Sequence, residues 1–211
     1  MSQFIPIFPL ELVVYPGEPL HLHIFEPRYK QLINEIANSR DRFGIPAVVN
    51  KRMGGLGTIM ELEEITDVHE NGELDIKTRG REIFRIAKVL KQVPGKLYSG
   101  AQTDLTPNDL NGDEELMRQV LSAIRLMHKL LKVEKSFNKP PGQLKSYDVA
   151  HHAGLSLQQG YELLGLEREN QRLDFLNRHL TRILPTVMEM ESLKQKIRLN
   201  GHFKKMPGFE L

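Results

Sequence analysis

The chain has no cysteine among its 211 residues, so disulfides, thiol nucleophiles and cysteine-ligated zinc are excluded. Neither sign of charge dominates: 29 Lys and Arg stand against 27 Asp and Glu, a net charge of +2 spread in mixed-sign order. Such a surface has no strong field with which to steer a polyanion. No apolar run approaches the roughly 20 residues that a membrane-spanning helix needs. The start, Met1-Ser2-Gln3-Phe4-Ile5-Pro6, lacks the basic stretch and apolar core of a secretory signal. No Gly-x-x-x-x-Gly-Lys-[Ser/Thr] loop occurs, which removes the phosphate cradle of a P-loop ATPase. These absences set the expectation of a cytoplasmic protein with no membrane partner. At 24.3 kDa a compact chain buries roughly 70% of its unfolded surface, enough for a core without staples.

What is present begins with a corner. Leu20, Leu22 and Ile24 alternate with His21, His23 and Phe25, a two-residue period that predicts a strand. Pro27 then presets the backbone for a first helical turn, and Tyr29, Leu32, Ile33 and Ile36 follow at helical spacing, predicting a helix over 27–38. Around this corner lie further extended runs. Phe4–Leu10 and Leu12–Tyr15 read as strands broken by proline, and Phe43–Val49 returns to extended character before a flexible loop over Lys51–Gly57. Asn71-Gly72 sits between the alternating runs 58–69 and 74–78, a hairpin signal whose central residues both favour positive φ. Through Arg79-Gly80-Arg81 the chain reaches a further strand over 82–90, and a last one follows over 96–105. Several short strands with one early helix point to a small closed or nearly closed barrel.

Thr106–Gly112 is polar and turn-rich and marks the one clear boundary. Beyond it the period is helical. Leu116, Val120, Ile124, Met127 and Leu131 share a face over 113–134, with Asp113 as N-cap and Lys139-Pro140-Pro141-Gly142 as the stop. Ser146 is placed to cap a helix over 147–153. Ser156 and Gln159 have capping-box spacing for one over 157–164, with Gly154 and Gly165 as C-terminal glycines. A long helix from Glu167 towards Leu199 carries the seam Leu173, Leu176, Leu180, Ile183, Leu184 and Val187, and Pro185 should bend or break it near Thr181. The tail 200–211 is expected to be loosely held.

Each chemically suggestive cluster has a plainer reading. His21 and His23 share a strand face, yet no His or carboxylate at a metal-site spacing accompanies them. The adjacent His151 and His152 point about 100° apart on a helix, against joint chelation. Gly54-Gly55-Leu56-Gly57 precedes a strand, so it lacks the helix dipole of a phosphate loop. Glu61, Glu63 and Glu64 read as a solvated strand face without a nucleophile. Lys77, Arg79, Arg81, Arg85 and Lys88 make the strand half locally basic, but the acidic run 61–67 and the absence of interleaved aromatics oppose nucleic acid as a partner.

Three blocks carry a family resemblance. Ile5-Pro6-Ile7-Phe8-Pro9-Leu10, Val13-Val14-Tyr15-Pro16-Gly17 and His21–Tyr29 form the first. Gly57-Thr58-Ile59 through Arg79-Gly80-Arg81-Glu82-Ile83-Phe84-Arg85-Ile86 is the second, and Tyr147-Asp148-Val149-Ala150 with Leu164-Gly165-Leu166-Glu167 the third. Together they resemble the N-terminal, substrate-binding domain of the ATP-dependent Lon protease, in its stand-alone bacterial form. The resemblance implies an α+β fold: a PUA-like β-pseudobarrel with one early helix over 1–107, then a C-terminal α-helical bundle with a long final helix over 113–211. It implies non-catalytic recognition of unfolded or specific polypeptides in protein quality control, with a separate protease as a candidate partner and no ATPase or peptidase within these residues. The alternative is an RNA-binding PUA-like pseudobarrel. No catalytic, cofactor or metal residue is assigned, and Phe25, Arg28 and Tyr29 are the candidates for a binding surface.

Overall fold

The structure is a computed structural model that describes residues 2–137 and 139–203, with the side chains of 198–203 outside the description. The chain forms two compact units, one from residues 1–111 with 155–169, the other from 112–154 with 170–211. The first unit is thus discontinuous, unlike the contiguous division 1–107 and 113–211 read from the sequence.

The first unit holds strands β1 (Gln3–Ile7), β2 (Pro19–Ile24), β3 (Phe43–Val49), β4 (Arg52–Val68), β5 (Leu74–Leu90) and β6 (Ser99–Leu105), with helix α1 (Pro27–Ser39). The sheet order is β2-β5-β4-β3-β1-β6, and β5 also pairs with β6, so five strands close into a ring with β2 attached outside it. All pairings are antiparallel except β1 with β3, which is parallel. Two 17-residue strands make this possible. β5 pairs β2 through Leu74–Arg79 and β6 through Phe84–Leu90, changing neighbour at Gly80. Three register shifts between β4 and β5 supply the bending that closure requires.

Several local expectations change for physical reasons. The runs 74–78 and 82–90 are one strand: β5 continues through Arg79-Gly80-Arg81, and Gly80 is needed because a Cβ there would strike the Tyr15 carbonyl. The close approach lets Gly17 N–H donate to Gly80 O at 2.8 Å and Gly80 N–H to Glu18 O at 2.9 Å. Leu12–Tyr15 is irregular and not a strand, although Val13, Val14 and Tyr15 are buried. Thr58 Oγ1 donates to Val14 O at 2.5 Å, and Glu18 N–H to Tyr15 O at 3.1 Å. The expected loop at 51–57 belongs to β4. The reversal is Asn50-Lys51, both at positive φ, the two-residue turn that suits a twisted hairpin. At Asn71-Gly72 only Gly72 is at positive φ (+73°). Gly72 N–H donates to His69 O and His69 N–H to Glu73 O, the three-residue loop with a glycine bulge.

The corner forms as its pattern predicts. Ile24 is buried, Leu20 and Leu22 are half-buried, and His21, His23 and Phe25 face solvent. α1 starts at Pro27 and buries Tyr29, Leu32, Ile33 and Ile36 against Phe8, Phe43, Ile45, Met60 and Ile76. Each fully buried aliphatic side chain contributes about 1.5–3 kcal/mol. A second cluster of Ile5, Ile7, Ile59, Phe84 and Ala101 is drawn from the ring strands. Helix α4 (Leu157–Leu164) joins this unit: Tyr15 Oη donates to Gly160 O at 3.2 Å, and the Ser156–Gln159 capping box is formed.

The second unit holds α2 (Glu114–Leu131), a 3-10 turn (Pro141–Gln143), α3 (Ser146–Ala150) and most of α5 (Glu169–Phe203). Asp113 caps α2, accepting from the N–H groups of Glu115 at 2.7 Å and Leu116 at 3.1 Å. Replacing Asp113 with alanine should cost about 1 kcal/mol, read as a lower urea midpoint in far-UV circular dichroism at unchanged slope. α2 stops at Leu131 because Lys132 turns left-handed (φ 56°), well before the prolines. Ser146 is the first residue of α3 rather than its cap, and its hydroxyl accepts from Arg172 Nε at 2.9 Å. Gly154 has the expected left-handed conformation (φ +70°). Gly165 does not (φ −78°): a Cβ there would press on Leu56 Cδ1 at 3.2 Å, so room, not handedness, selects it. α5 continues through Pro185 without the expected break. Residues 200–203 extend it, and the rest of the expected tail, 204–211, lies outside the described residues. Among the described residues no helix is long and apolar enough to cross a membrane.

Candidate functional site

The first unit carries a cleft of about 550 Å³ beside β1, within the usual range for ligand sites. It exists because β1 is zipped along only one side. Toward β6, all five residues pair, from Gln3↔Thr103 to Ile7↔Ser99. Toward β3, among the described residues, the strand register begins at Ile7↔Gly44 and continues past the strand through Phe8 N–H to Gly44 O and Leu10 N–H to Pro46 O. Gln3–Pro6 therefore line the cleft with their β3-facing side outside the ladder.

The other walls are Ile36 and the segment Arg40–Arg42, with Tyr98 and Leu105. Phe4 and Leu105 are about half exposed, an apolar surface at the mouth. Arg40 places this wall: α1 ends there in a left-handed residue (φ 59°) whose N–H donates to Ile36 O at 2.8 Å. A second cleft of about 430 Å³ lies on the far side of that wall, lined by Arg40–Arg42 and Glu61–Ile65.

Several charges at these clefts are paired. Arg42 forks onto Glu82 at 2.9 and 3.1 Å, Arg81 meets Glu61 at 2.7 Å, and Arg79 holds Glu63. Glu63 sits below the usual carboxylate range, chiefly through the Arg79 hydrogen bond. A general acid needs the opposite shift. Glu35 is also held low, first by Lys96 at 2.8 Å and then by the Tyr98 hydroxyl, while burial and this carboxylate raise Tyr98. Arg79 and Arg81 of the basic run are thus engaged by carboxylates.

The sequence-derived candidates fall elsewhere. Tyr29 is core, stacked on Phe8 at 3.7 Å between ring centroids. Arg28 lies over the Tyr29 ring at 4.5 Å and pairs with Glu26 at 2.7 Å, and Phe25 is exposed beside it in sequence. Gly54 and Gly57 serve packing: a Cβ on Gly54 would meet the Tyr161 hydroxyl at 2.6 Å, and that oxygen accepts from Leu56 N–H at 3.1 Å. His152 packs its ring edge against Phe137, 4.8 Å between centroids. His21 lies opposite Lys77 and stands apart from the group around His23. Sequence patterning missed Arg40–Arg42, whose only local signal is the end of the α1 periodicity.

A ring of strands with an early helix and an open strand side, in a chain whose remainder is helical, defines a mixed α+β class with a cleft beside β1. Solved structures share this fold. The Lon N-terminal domain protein from Xanthomonas campestris matches with a TM-score of 0.64 and 22% identity over 82% of this chain and 96% of that one. The N-terminal domain of Mycobacterium avium complex Lon protease matches with a TM-score of 0.60 and 14% identity over 85% of this chain and 98% of that one. No curated protein sequence matches significantly. The chain belongs to the family of the ATP-dependent protease La (LON) substrate-binding domain, which matches residues 5–182.

Proposed function

We propose that this protein is a non-catalytic polypeptide-recognition module of protein quality control, acting in the cytoplasm and using the cleft beside β1. The observation that carries the reading is the Gln3–Pro6 side of β1, left outside the β3 ladder at the floor of a cleft with apolar Phe4, Ile36 and Leu105. An extended segment can add main-chain hydrogen bonds there and seat an apolar side chain against Ile36 and Leu105. Membership of a substrate-binding family supports polypeptide as the ligand class. The ring of strands supports the finer description as a PUA-like pseudobarrel, and the helical second unit supports description as a bundle. A separate protease is a fitting recipient of bound chains.

The test is fluorescence anisotropy with a labelled, permanently unfolded polypeptide such as casein. Saturable binding is expected, weakened about tenfold by Leu105→Asp, with Arg118→Ala, on the exposed face of α2, unchanged. Absence of saturable binding, or equal affinity in the Leu105 variant, contradicts the proposal. Single-stranded RNA in the same assay tests the alternative: salt-sensitive RNA binding in preference to polypeptide would replace the reading.

A further inference from the structure

A cluster of metal-ligating side chains lies away from the cleft, where β2, the end of β4 and the start of β5 meet. His23 faces Asp75 across the β2–β5 ladder, and His69 occupies the β4–β5 turn. Asp75 joins the two rings: Oδ1 lies 2.7 Å from His23 Nδ1, and Oδ2 lies 2.8 Å from His69 Nε2. The ligand atoms of the three residues lie within 4.8 Å of one another.

We propose that His23, His69 and Asp75 form a binding site for a zinc-like divalent cation, with water completing the coordination. Two imidazole nitrogens and one carboxylate oxygen are a donor set suited to Zn²⁺, which takes four ligands in a tetrahedron and uses three protein ligands where one position stays open.

The far side of the His23 ring supports this choice. His23 Nε2 lies 3.1 Å from Glu73 Oε2, within hydrogen-bond distance, whereas His69 Nδ1 lies 4.0 Å from Asp67 Oδ2, close enough for charge attraction only. A ring nitrogen that donates its proton to an outer carboxylate leaves the other nitrogen as a lone-pair donor, the arrangement that orients metal-bound histidines. Three carboxylates, Asp67, Glu73 and Asp75, crowd the two rings, so a cation also relieves their mutual repulsion.

The fit needs little movement. Tetrahedral zinc with bonds of about 2.0–2.2 Å separates its ligand atoms by about 3.4 Å. The His–Asp distances must open slightly and the two rings, 5.5 Å apart between centroids, must close on one another. His23 is half exposed and His69 and Asp75 are more than a third exposed, so side-chain rotation suffices. Two of the three ligands bracket the β4–β5 turn and the third comes from β2, so the ion would tie the hairpin tip to the outer strand.

Isothermal titration of the tag-free chain with Zn²⁺, paired with amide spectra to locate the ion, tests this. One ion per chain is expected, perturbing residues 23 and 67–75. Affinity should fall as the solution is acidified, because protons compete with the ion for its ligand atoms. His69→Ala and Asp75→Asn should weaken binding at least tenfold, and Glu73→Ala by about tenfold to a hundredfold. His21→Ala, on the same strand face but outside the group, should bind as the unchanged chain does. Circular dichroism confirms that each variant folds. Absence of saturable binding, spectral changes confined to other histidines, or undiminished affinity in folded His69→Ala would overturn the proposal.

Discussion

Replacing Phe84 with alanine is expected to lower the stability of the first unit by about 3–5 kcal/mol. The ring is fully buried with Ile5, Ile7, Ile59 and Ala101, and it fills space that two glycines vacate. A Cβ on Gly44 would come within 2.8 Å of its ring atoms, and one on Gly57 within 2.6 Å, besides striking the Ile45 carbonyl. β3, β4 and β5 thus interlock as one ring against two bare backbones. Alanine would leave a cavity that rigid, paired strands cannot collapse into, whereas Phe84→Leu should lose less than half as much. Gly57→Ala should also destabilise the unit, because the blocking atoms include backbone. Amide exchange in β3, β4 and β5 checks this; unchanged protection in Phe84→Ala would contradict the interlock.

The second large effect is expected in the other unit. Arg172 is fully buried, with Nε donating to Ser146 Oγ at 2.9 Å and the guanidinium 4.5 Å from the centre of the Tyr147 ring. It fastens α5 to the start of α3. Hydrogen bonds to a charged group contribute about 1.5–3 kcal/mol and a desolvated cation–π contact about 2. Arg172→Ala should therefore cost about 3–5 kcal/mol once the lost packing of the stem is included. Lysine should not rescue it, because its compact ammonium can neither stack as a plane nor present the same Nε–H. Loss of exchange protection in α3, with α4 unaffected, is the expected signature.

How far such features are legible in the sequence depends on how local their cause is. The turn of strand into helix at Pro27, the Asp113 cap and the Ser156–Gln159 box depend on neighbours within four residues, and each forms as its pattern predicts. Arg79-Gly80-Arg81 has the composition of a turn, but Gly80 is there for a backbone contact 65 residues away in the chain, at Tyr15. Gly54 answers to Tyr161 and Gly57 to Phe84 in the same manner. The strand side at Gln3–Pro6 and the grouping of His23 with His69 and Asp75 are set by register between distant strands, which alternation alone does not specify. Phe25, Arg28 and Tyr29 carried the resemblance because they build the corner; Tyr29 is buried there.

The discontinuity of the first unit has a consequence in time. Its last strand ends at Leu105, yet α4, which receives the Tyr15 hydroxyl and lends Tyr161 to Leu56, begins only at Leu157. At about 5–20 residues per second, a ribosome takes several seconds to cover that interval. During it the strand unit stands without one of its walls, and the nascent helices of the second unit emerge before the first is complete. The two units cannot mature strictly one after the other, and separating them at residues 107–113 would remove α4 from the strands it serves.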